Sequence, residues 1–285
     1  MAIAVNPLGA TMGAEVVGVD LRALDEATFT VISDAFYRYQ VLAIRGQSLS
    51  PAEQVVFSRR FGPLEDQLNA DFVIPGQEEV LILSNDMKDG KPIGVIDAGD
   101  YWHSDSSHRP LPSAITVLHS IRNPQRGGDT EFSDMYRAYE TLPDEIKQRI
   151  TGRQAIHAVS KLRNKRVTVS ARRPGAKDFY EEQKSIPDVL QPVVRIHPVT
   201  NRPALYVQPR FTIGIVGMAQ DEADELLDLL FAHQIKREFL YRHKWQDGDV
   251  VLWDNRCVIH RATGGFRYPD VRMMHRTVVA GDAPF

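Results

Sequence analysis

One cysteine, Cys257, is present in 285 residues. A lone thiol closes no internal disulfide and builds no cysteine-rich zinc site. The expected compartment is therefore reducing, the cytoplasm, and any metal site must draw on His, Asp and Glu. Long apolar runs are also missing. Val250–Trp253 is among the longest, far short of the ~20 residues that span a bilayer, so no membrane partner is expected. The N-terminal MAIAVNPLGATMGAEV has no basic n-region and no extended apolar core, and does not read as a secretory signal. Neither sign of charge dominates: 34 Lys and Arg face 37 Asp and Glu, a net charge of −3. That balance argues against nucleic acid as a partner, while leaving a local basic site open. GxxxxGK(S/T), GxGxxG, HExxH and GxSxG are all absent. Phosphate cradles of nucleotide enzymes, zincin proteases and α/β-hydrolases therefore lack support. No fixed-period repeat and no Pro/Gly/Ser-rich linker divides the chain, so one domain over 1–285 is expected.

What is present is an ordinary globular composition, with 43% hydrophobic residues, enough for a sizeable core. Phe29, Ile32, Phe36 and Tyr39 recur at helical spacing after Asp25, which predicts a helix over 26–39 with an Asp N-cap. Ser50-Pro51-Ala52-Glu53 spells a capping box with proline in the first turn. Its helix should run to Phe61 and stop at Gly62. Short strand-like runs follow at 80–84, 114–119, 154–159, 193–197, 203–207, 239–244, 249–253, 257–261 and 273–279. Helical segments at about 134–150 and 219–234 interrupt them. Strand and helix do not alternate regularly, which disfavours a doubly wound parallel sheet. The expectation is a mainly β fold with surrounding helices: a double-stranded β-helix, or jelly roll, of cupin-like class.

Residues 161–177 carry Lys161, Arg163, Lys165, Arg166, Arg172, Arg173 and Lys177 with no acid among them. A solvated surface loop explains this composition. So does a mobile basic lid, around 160–187, over an anionic substrate.

Two clusters carry candidate chemistry. In Tyr101-Trp102-His103-Ser104-Asp105-Ser106-Ser107, an extended backbone points His103 and Asp105 to one side. The second, Leu252 to Ala262, contains His260. Two His and one carboxylate on one face form the facial triad of non-haem Fe(II) oxygenases, which leaves positions open for a co-substrate and dioxygen. His-x-Asp alone is weak, and a satisfied structural pair explains it equally. Just downstream, Arg272, Met274 and Arg276 share a face on an extended strand. Two guanidinium groups cannot both be buried without anionic partners, and Arg binds carboxylate in a fixed fork. Surface salt bridges are the alternative.

These segments, in this order, resemble the taurine dioxygenase / 2,4-dichlorophenoxyacetate dioxygenase family of Fe(II)- and 2-oxoglutarate-dependent enzymes. The resemblance spans nearly the whole chain. It runs from Asn6-Pro7-Leu8-Gly9 through Arg45-Gly46-Gln47 and Arg60-Phe61-Gly62-Pro63-Leu64 to Trp102-His103-Ser104-Asp105. It continues with Gly127-Gly128-Asp129-Thr130, His197-Pro198, Trp253-Asp254-Asn255-Arg256, His260 and Arg272-Met273-Met274-His275-Arg276. By resemblance, His103, Asp105 and His260 are iron ligands, and Arg272 and Thr130 hold the far carboxylate of 2-oxoglutarate. Arg276 contacts the anionic head of the primary substrate. Trp253, Asp254 and Asn255 shape the turn and core before His260. His275, on the other face of its strand, is structural; His108 is a solvated loop residue; His119, His157, His197, His233 and His243 stand without a constellation. The implied reaction consumes dioxygen and 2-oxoglutarate, hydroxylates a carbon of the substrate, and releases succinate and CO2. The resemblance also implies a homo-oligomer, dimer or tetramer.

The implied substrate is a small anion. Trp102 to Ser107 and Asp254 to Cys257 resemble the aryloxyalkanoate branch, which favours a carboxylate such as 2,4-dichlorophenoxyacetate. Met274-His275-Arg276 resembles the taurine branch, so an alkylsulfonate or alkyl sulfate is the alternative. Taurine enzymes carry a further His after the Arg-Phe-Gly segment, and Pro63 to Phe72 contains none. Outside this class stand a non-catalytic metal-binding jelly-roll module and a zinc-dependent hydrolase.

Overall fold

The computed structural model describes residues 3–67, 70–96, 99–161 and 185–285. Most of the basic segment proposed as a loop or lid lies outside the described residues. Only its first residue, Lys161, is seen, paired with Asp188.

The largest sheet runs β1 (Ala4–Pro7), β2 (Ala14–Val17), β3 (Val41–Ile44), β16 (Val250–Asp254), β8 (Ile115–Arg122), β18 (Met273–Val279), β5 (Gln77–Ser84) and β4 (Val73–Ile74) in spatial order. Its pairs are antiparallel except β2 with β3. A second sheet holds β15 (Leu240–His243), β9 (Thr130–Asp134) and β17 (Val258–Ala262), with β9 in the centre. A third places β10 (Gln154–His157) between β11 (Val189–Pro192) and β14 (Thr212–Ile215). Two hairpin-like pairs join β12 (Val194–Ile196) to β13 (Pro203–Leu205), and β6 (Met87–Lys88) to β7 (Lys91–Pro92).

The central strands of the large sheet are buried on both faces, and the period of two is visible in their residues. On β3 and β16, Leu42, Ile44, Val250 and Leu252 join one core, whereas Val41, Ala43, Val251 and Trp253 join another. The first core is closed by α1 (Glu26–Tyr39) through Ile32 and Phe36, and by α2 (Pro51–Arg59) through Phe57. The second faces β9 and β17, with α3 (Met135–Glu140), α4 (Asp144–Ile150) and α5 (Gln220–Gln234) outside. The architecture is mainly β with few helices.

Local signals hold at the helix starts. Asp25 accepts from the Thr28 N–H. Ser50 and Glu53 make both bonds of the capping box, with Pro51 at the first helical position. Two boundaries differ from expectation. The segment expected as one helix over 134–150 splits at Thr141–Pro143, because proline has no N–H and its ring collides with the preceding turn. Helix α2 ends at Arg59, and Arg60 to Gly62 close through tighter bonds to Phe57, Ser58 and Arg59 carbonyls.

Phe132 sits at the centre of the inner core with no exposed surface. It stacks on Tyr241 at 6.0 Å and lies 5.5 Å from Trp253 and 6.1 Å from His260, ring to ring. Phe132→Ala is expected to cost about 3–5 kcal/mol, read as a lowered urea midpoint in equilibrium unfolding.

Candidate metal and dicarboxylate site

The inner space between the sheets holds the site. An isolated antiparallel bridge joins His103 to His260: the His103 N–H donates to the His260 carbonyl at 3.0 Å, and the His260 N–H returns to His103 at 2.7 Å. Side chains opposite one another in such a pair stand close together, and the two imidazole centroids are 4.3 Å apart. Asp105 follows His103 by two residues, and its Oδ1 lies 3.5 Å from His103 Nε2 and 4.0 Å from His260 Nε2. One ligand atom from each of His103, Asp105 and His260 falls within 4.8 Å of the others.

Each lone pair can be traced. His103 donates from Nδ1 to the Tyr101 carbonyl at 2.8 Å, which fixes the tautomer and leaves Nε2 free. Gly99 lies against this ring: a Cβ there would come within 2.5 Å of His103 Cε1, and its φ of +73° suits glycine. Burial pushes the His260 pKa down to about 3, and its Nδ1 is buried without a partner among the described residues. Burial opposes the charge on Asp105, but the neighbouring His260 and the Arg276 guanidinium outweigh it and hold the carboxyl well below its usual range. At neutral pH the group offers two imidazole nitrogens and one carboxylate, a donor set that fits a divalent first-row ion such as Fe(II).

Arg276 lies close enough to act on Asp105 and His260, and Arg272 lines a pocket with Ala262, two residues past His260. On β18, Met274 faces the inner core, whereas Thr277 bonds Ser58 of α2 at 2.6 Å. Arg276 thus projects with Met274 to the inner side, and His275 to the helix side, where its carbonyl accepts from Gln54. Arg276 donates to Gln67 Oε1 at 3.3 Å. Arg272 precedes β18 and lines an open pocket with Asn85, Asp100, Gly128, Gly264 and Phe266. Its Nε is buried with no hydrogen-bond partner among the described residues. Burial lowers its pKa to about 10, with Asp129 acting the other way, so it stays cationic. A cation held this way calls for an anion, and a carboxylate matches its fork.

Thr130 enters through register. Pairing of β17 with β9 sets His260 opposite Phe132 and Ala262 opposite Thr130, which places Thr130 one inward pair along from His260. Its Oγ1 accepts the Trp245 indole N–H at 3.0 Å, and the same indole lies 5.8 Å from the Arg272 guanidinium. The hydroxyl proton is left to donate elsewhere. Trp245, Thr116, Asn255 and Gln67 thus belong to the surroundings of the site. No spacing rule flags them, because each arrives through strand pairing or a loop contact.

Some sequence expectations for the other histidines change. His108 is packed rather than solvated: its ring centroid is 4.7 Å from that of Phe211, and burial lowers its pKa to about 4. His197 has a constellation, since its Nε2 meets Asp254 Oδ2 at 3.0 Å and Arg256 grips the same carboxylate through Nε and Nη2. Although His197, Asp254 and Cys257 lie close enough to surround an ion, His197 Nδ1 accepts two backbone N–H groups at 3.1 Å. Its Nε2 must then carry the proton, and no imidazole lone pair is left for a metal. His243 is likewise engaged, by Tyr241 and Asp249, and His157 by Ser107 and Thr212.

The geometry stands beside clear similarities. The model for the taurine catabolism dioxygenase TauD, TfdA family matches residues 4–278. The chain belongs to that family. The alpha-ketoglutarate-dependent 2,4-dichlorophenoxyacetate dioxygenase of Cupriavidus pinatubonensis is 35% identical over 99% of both chains. A taurine dioxygenase structure from Burkholderia xenovorans superposes with a TM-score of 0.83 at 30% identity, covering 100% of this chain and 91% of that one. The structure of AAD-2 in complex with Mn(II) and N-oxalylglycine gives 0.79 at 32%, covering 100% and 99%. Members of the family are alpha-ketoglutarate-dependent dioxygenases that use Fe(II) and O2, and this chain is such an oxidoreductase. Among the described residues no helix is long and apolar enough to cross a membrane.

His157, fully buried and hydrogen-bonded to Ser107, has its pKa lowered by burial from 6.5 to about 3. The unfolded chain takes up that proton near pH 6.5 while the folded chain does not. Stability therefore falls as pH drops below 6.5. The stability advantage of wild type over His157→Gln should shrink by about 1.4 kcal/mol per pH unit between pH 6 and 4. Urea titrations of both proteins at several pH values check this; a constant difference would count against it.

Proposed function

We propose that this dioxygenase hydroxylates a small anionic substrate, preferentially an aryloxyalkanoate-type carboxylate such as 2,4-dichlorophenoxyacetate, with release of succinate and CO2. The observation that carries the reading is the buried Arg272, whose Nε has no hydrogen-bond partner among the described residues, in a pocket that also reaches Ala262, two residues past His260. A metal-binding module without catalysis has no use for a buried cation waiting for a dicarboxylate, and neither has a zinc hydrolase.

In this reading His103, Asp105 and His260 hold Fe(II), and Arg272 with Thr130 holds the far carboxylate of 2-oxoglutarate. Iron with 2-oxoglutarate supplies dioxygen activation, the co-substrate giving up two electrons as it loses CO2. The protein supplies the rest. Trp245 orients the Thr130 hydroxyl and covers one side of Arg272. Tyr101 holds the His103 tautomer. Phe132 and Trp253 pack against His260 and keep water from that side. Arg276 receives the substrate anion.

The 2,4-dichlorophenoxyacetate enzyme, matched over the whole chain, supports the carboxylate preference. So does the surrounding of Arg276. The stretch that in taurine enzymes carries an extra His contributes here the neutral amide of Gln67. A single guanidinium fork then faces the anion, which suits a carboxylate. The Met274-His275-Arg276 segment and the likeness to a taurine dioxygenase favour an alkylsulfonate or alkyl sulfate as the second reading. The same proposal takes the sheet arrangement as a double-stranded β-helix forming one domain. It takes the enzyme as cytoplasmic and as a homo-oligomer, dimer or tetramer, on the family resemblance.

A succinate-release screen with Fe(II), ascorbate and 2-oxoglutarate across aryloxyacetates, sulfonates and sulfate esters tests the substrate. Stimulation by sulfonates alone would replace the carboxylate reading, and activity with zinc in the absence of 2-oxoglutarate would replace both. Asp105→Ala is expected to abolish coupled hydroxylation in that assay. Arg272→Ala should raise the KM for 2-oxoglutarate by roughly 10- to 100-fold, the equivalent of one charged hydrogen-bonded contact of about 1.5–3 kcal/mol, with a smaller effect on the primary substrate. Arg276→Ala should do the reverse.

A further inference from the structure

Asp105 has two oxygens, and they have different neighbours. Oδ1 faces the two imidazoles. Oδ2 accepts a hydrogen bond from the Thr116 hydroxyl at 2.6 Å. Thr116, in β8, has no exposed surface. Its Oγ1 also meets Asn255 Nδ2 at 2.9 Å. An amide NH2 only donates, so the threonine accepts there, and its single proton is committed to Asp105.

The orientation of Asn255 is equally determined. Its Oδ1 lies 3.2 Å from the Asp105 backbone nitrogen and 3.1 Å from Trp253 Nε1. Both are obligate donors, so the oxygen must be on that side and the amide cannot be reversed. The Asn255 carbonyl accepts from Ser104 Oγ at 2.6 Å, and its N–H donates to the Ala114 carbonyl at 2.9 Å. A one-way relay results: Trp253 donates to Asn255, Asn255 to Thr116, and Thr116 to Asp105.

We propose that Thr116, oriented by Asn255, is the positioning residue that confines Asp105 to a single metal-facing oxygen. With Oδ2 engaged by a short hydrogen bond, the carboxylate cannot turn to offer both oxygens, and its plane is set by β8 rather than by the ion. The coordination positions that a second carboxylate oxygen would take stay available to the co-substrate. The inference rests on the metal-site reading of His103, Asp105 and His260, and it extends that reading to two residues outside the ligand set.

The test compares Thr116→Val with Thr116→Ser. Valine keeps the shape of threonine and loses the hydroxyl; serine keeps the hydroxyl and loses a methyl. Mn(II) binding to the metal-free protein is measured by calorimetry, then 2-oxoglutarate binding to the Mn(II) form, with thermal melts to show that each variant is folded. Thr116→Val should weaken Mn(II) binding by about 10- to 100-fold, as loss of an outer partner of a metal ligand does, while Thr116→Ser stays close to wild type. A packing role predicts the opposite order, with serine the more damaging, and that order would overturn the proposal. So would Mn(II) affinity in Thr116→Val equal to wild type. Asp105→Ala separates the two layers. If it binds Mn(II) as well as wild type, the metal-site reading fails and this inference with it. If it loses Mn(II) while Thr116→Val does not, only the inference fails.

Discussion

His103 and His260 are joined by a reciprocal pair of backbone hydrogen bonds across 157 residues of sequence. Everything else in the site hangs on this bridge. It sets the two imidazoles side by side, and because Asp105 lies two residues past one of them, it brings the carboxylate to the same place. The bridge persists because β17 is paired along its length to β9 and the His103 segment is pinned by Ser104 and Asp105 to Asn255. Main-chain pairing in a dry interior is costly to break. The atoms proposed to hold the metal therefore already stand together, and binding an ion would not need to order them.

The same interior carries electrostatic debts that only a ligand settles. Asp105 is ionised and nearly enclosed, burial holds His260 neutral beside it, and Arg272 keeps its charge with an Nε unpartnered among the described residues. Two other buried carboxylates are paired within the chain: Asp254 with Arg256 and His197, Asp249 with Arg45 and His243. The contrast separates structural networks from functional ones. Asp254 and Asp249 with their partners are architecture; the Arg272 Nε, unpartnered among the described residues, is where the proposed dicarboxylate would bind.

Much of the architecture was legible in local chemistry. Asp25 and Ser50 announce helix starts because a side-chain oxygen next to free N–H groups is a short-range interaction. The runs at 249–253, 257–261 and 273–279 read as strands from their residue types, and the structure places β16, β17 and β18 there within a residue or two. The break at Pro143 has a local cause, the missing proline N–H, although 134–150 was expected as one helix. His-x-Asp and the Arg272–Arg276 interval are visible in one dimension because each is set by a few residues of extended chain.

Sequence by itself determined which groups are available: one thiol, two motif histidines with a carboxylate, and two arginines four residues apart. Their spacing within a strand dictates which share a face. The tertiary structure decided which of these groups meet and which remain unsatisfied. Thr130 reaches the site through the β9–β17 register, Trp245 through the indole bond to Thr130, and Thr116 with Asn255 through the pairing of β8 with β16. These contacts join residues far apart in the chain, and hydrogen-bond geometry over such separations is set by sheet order and burial, which no local pattern encodes.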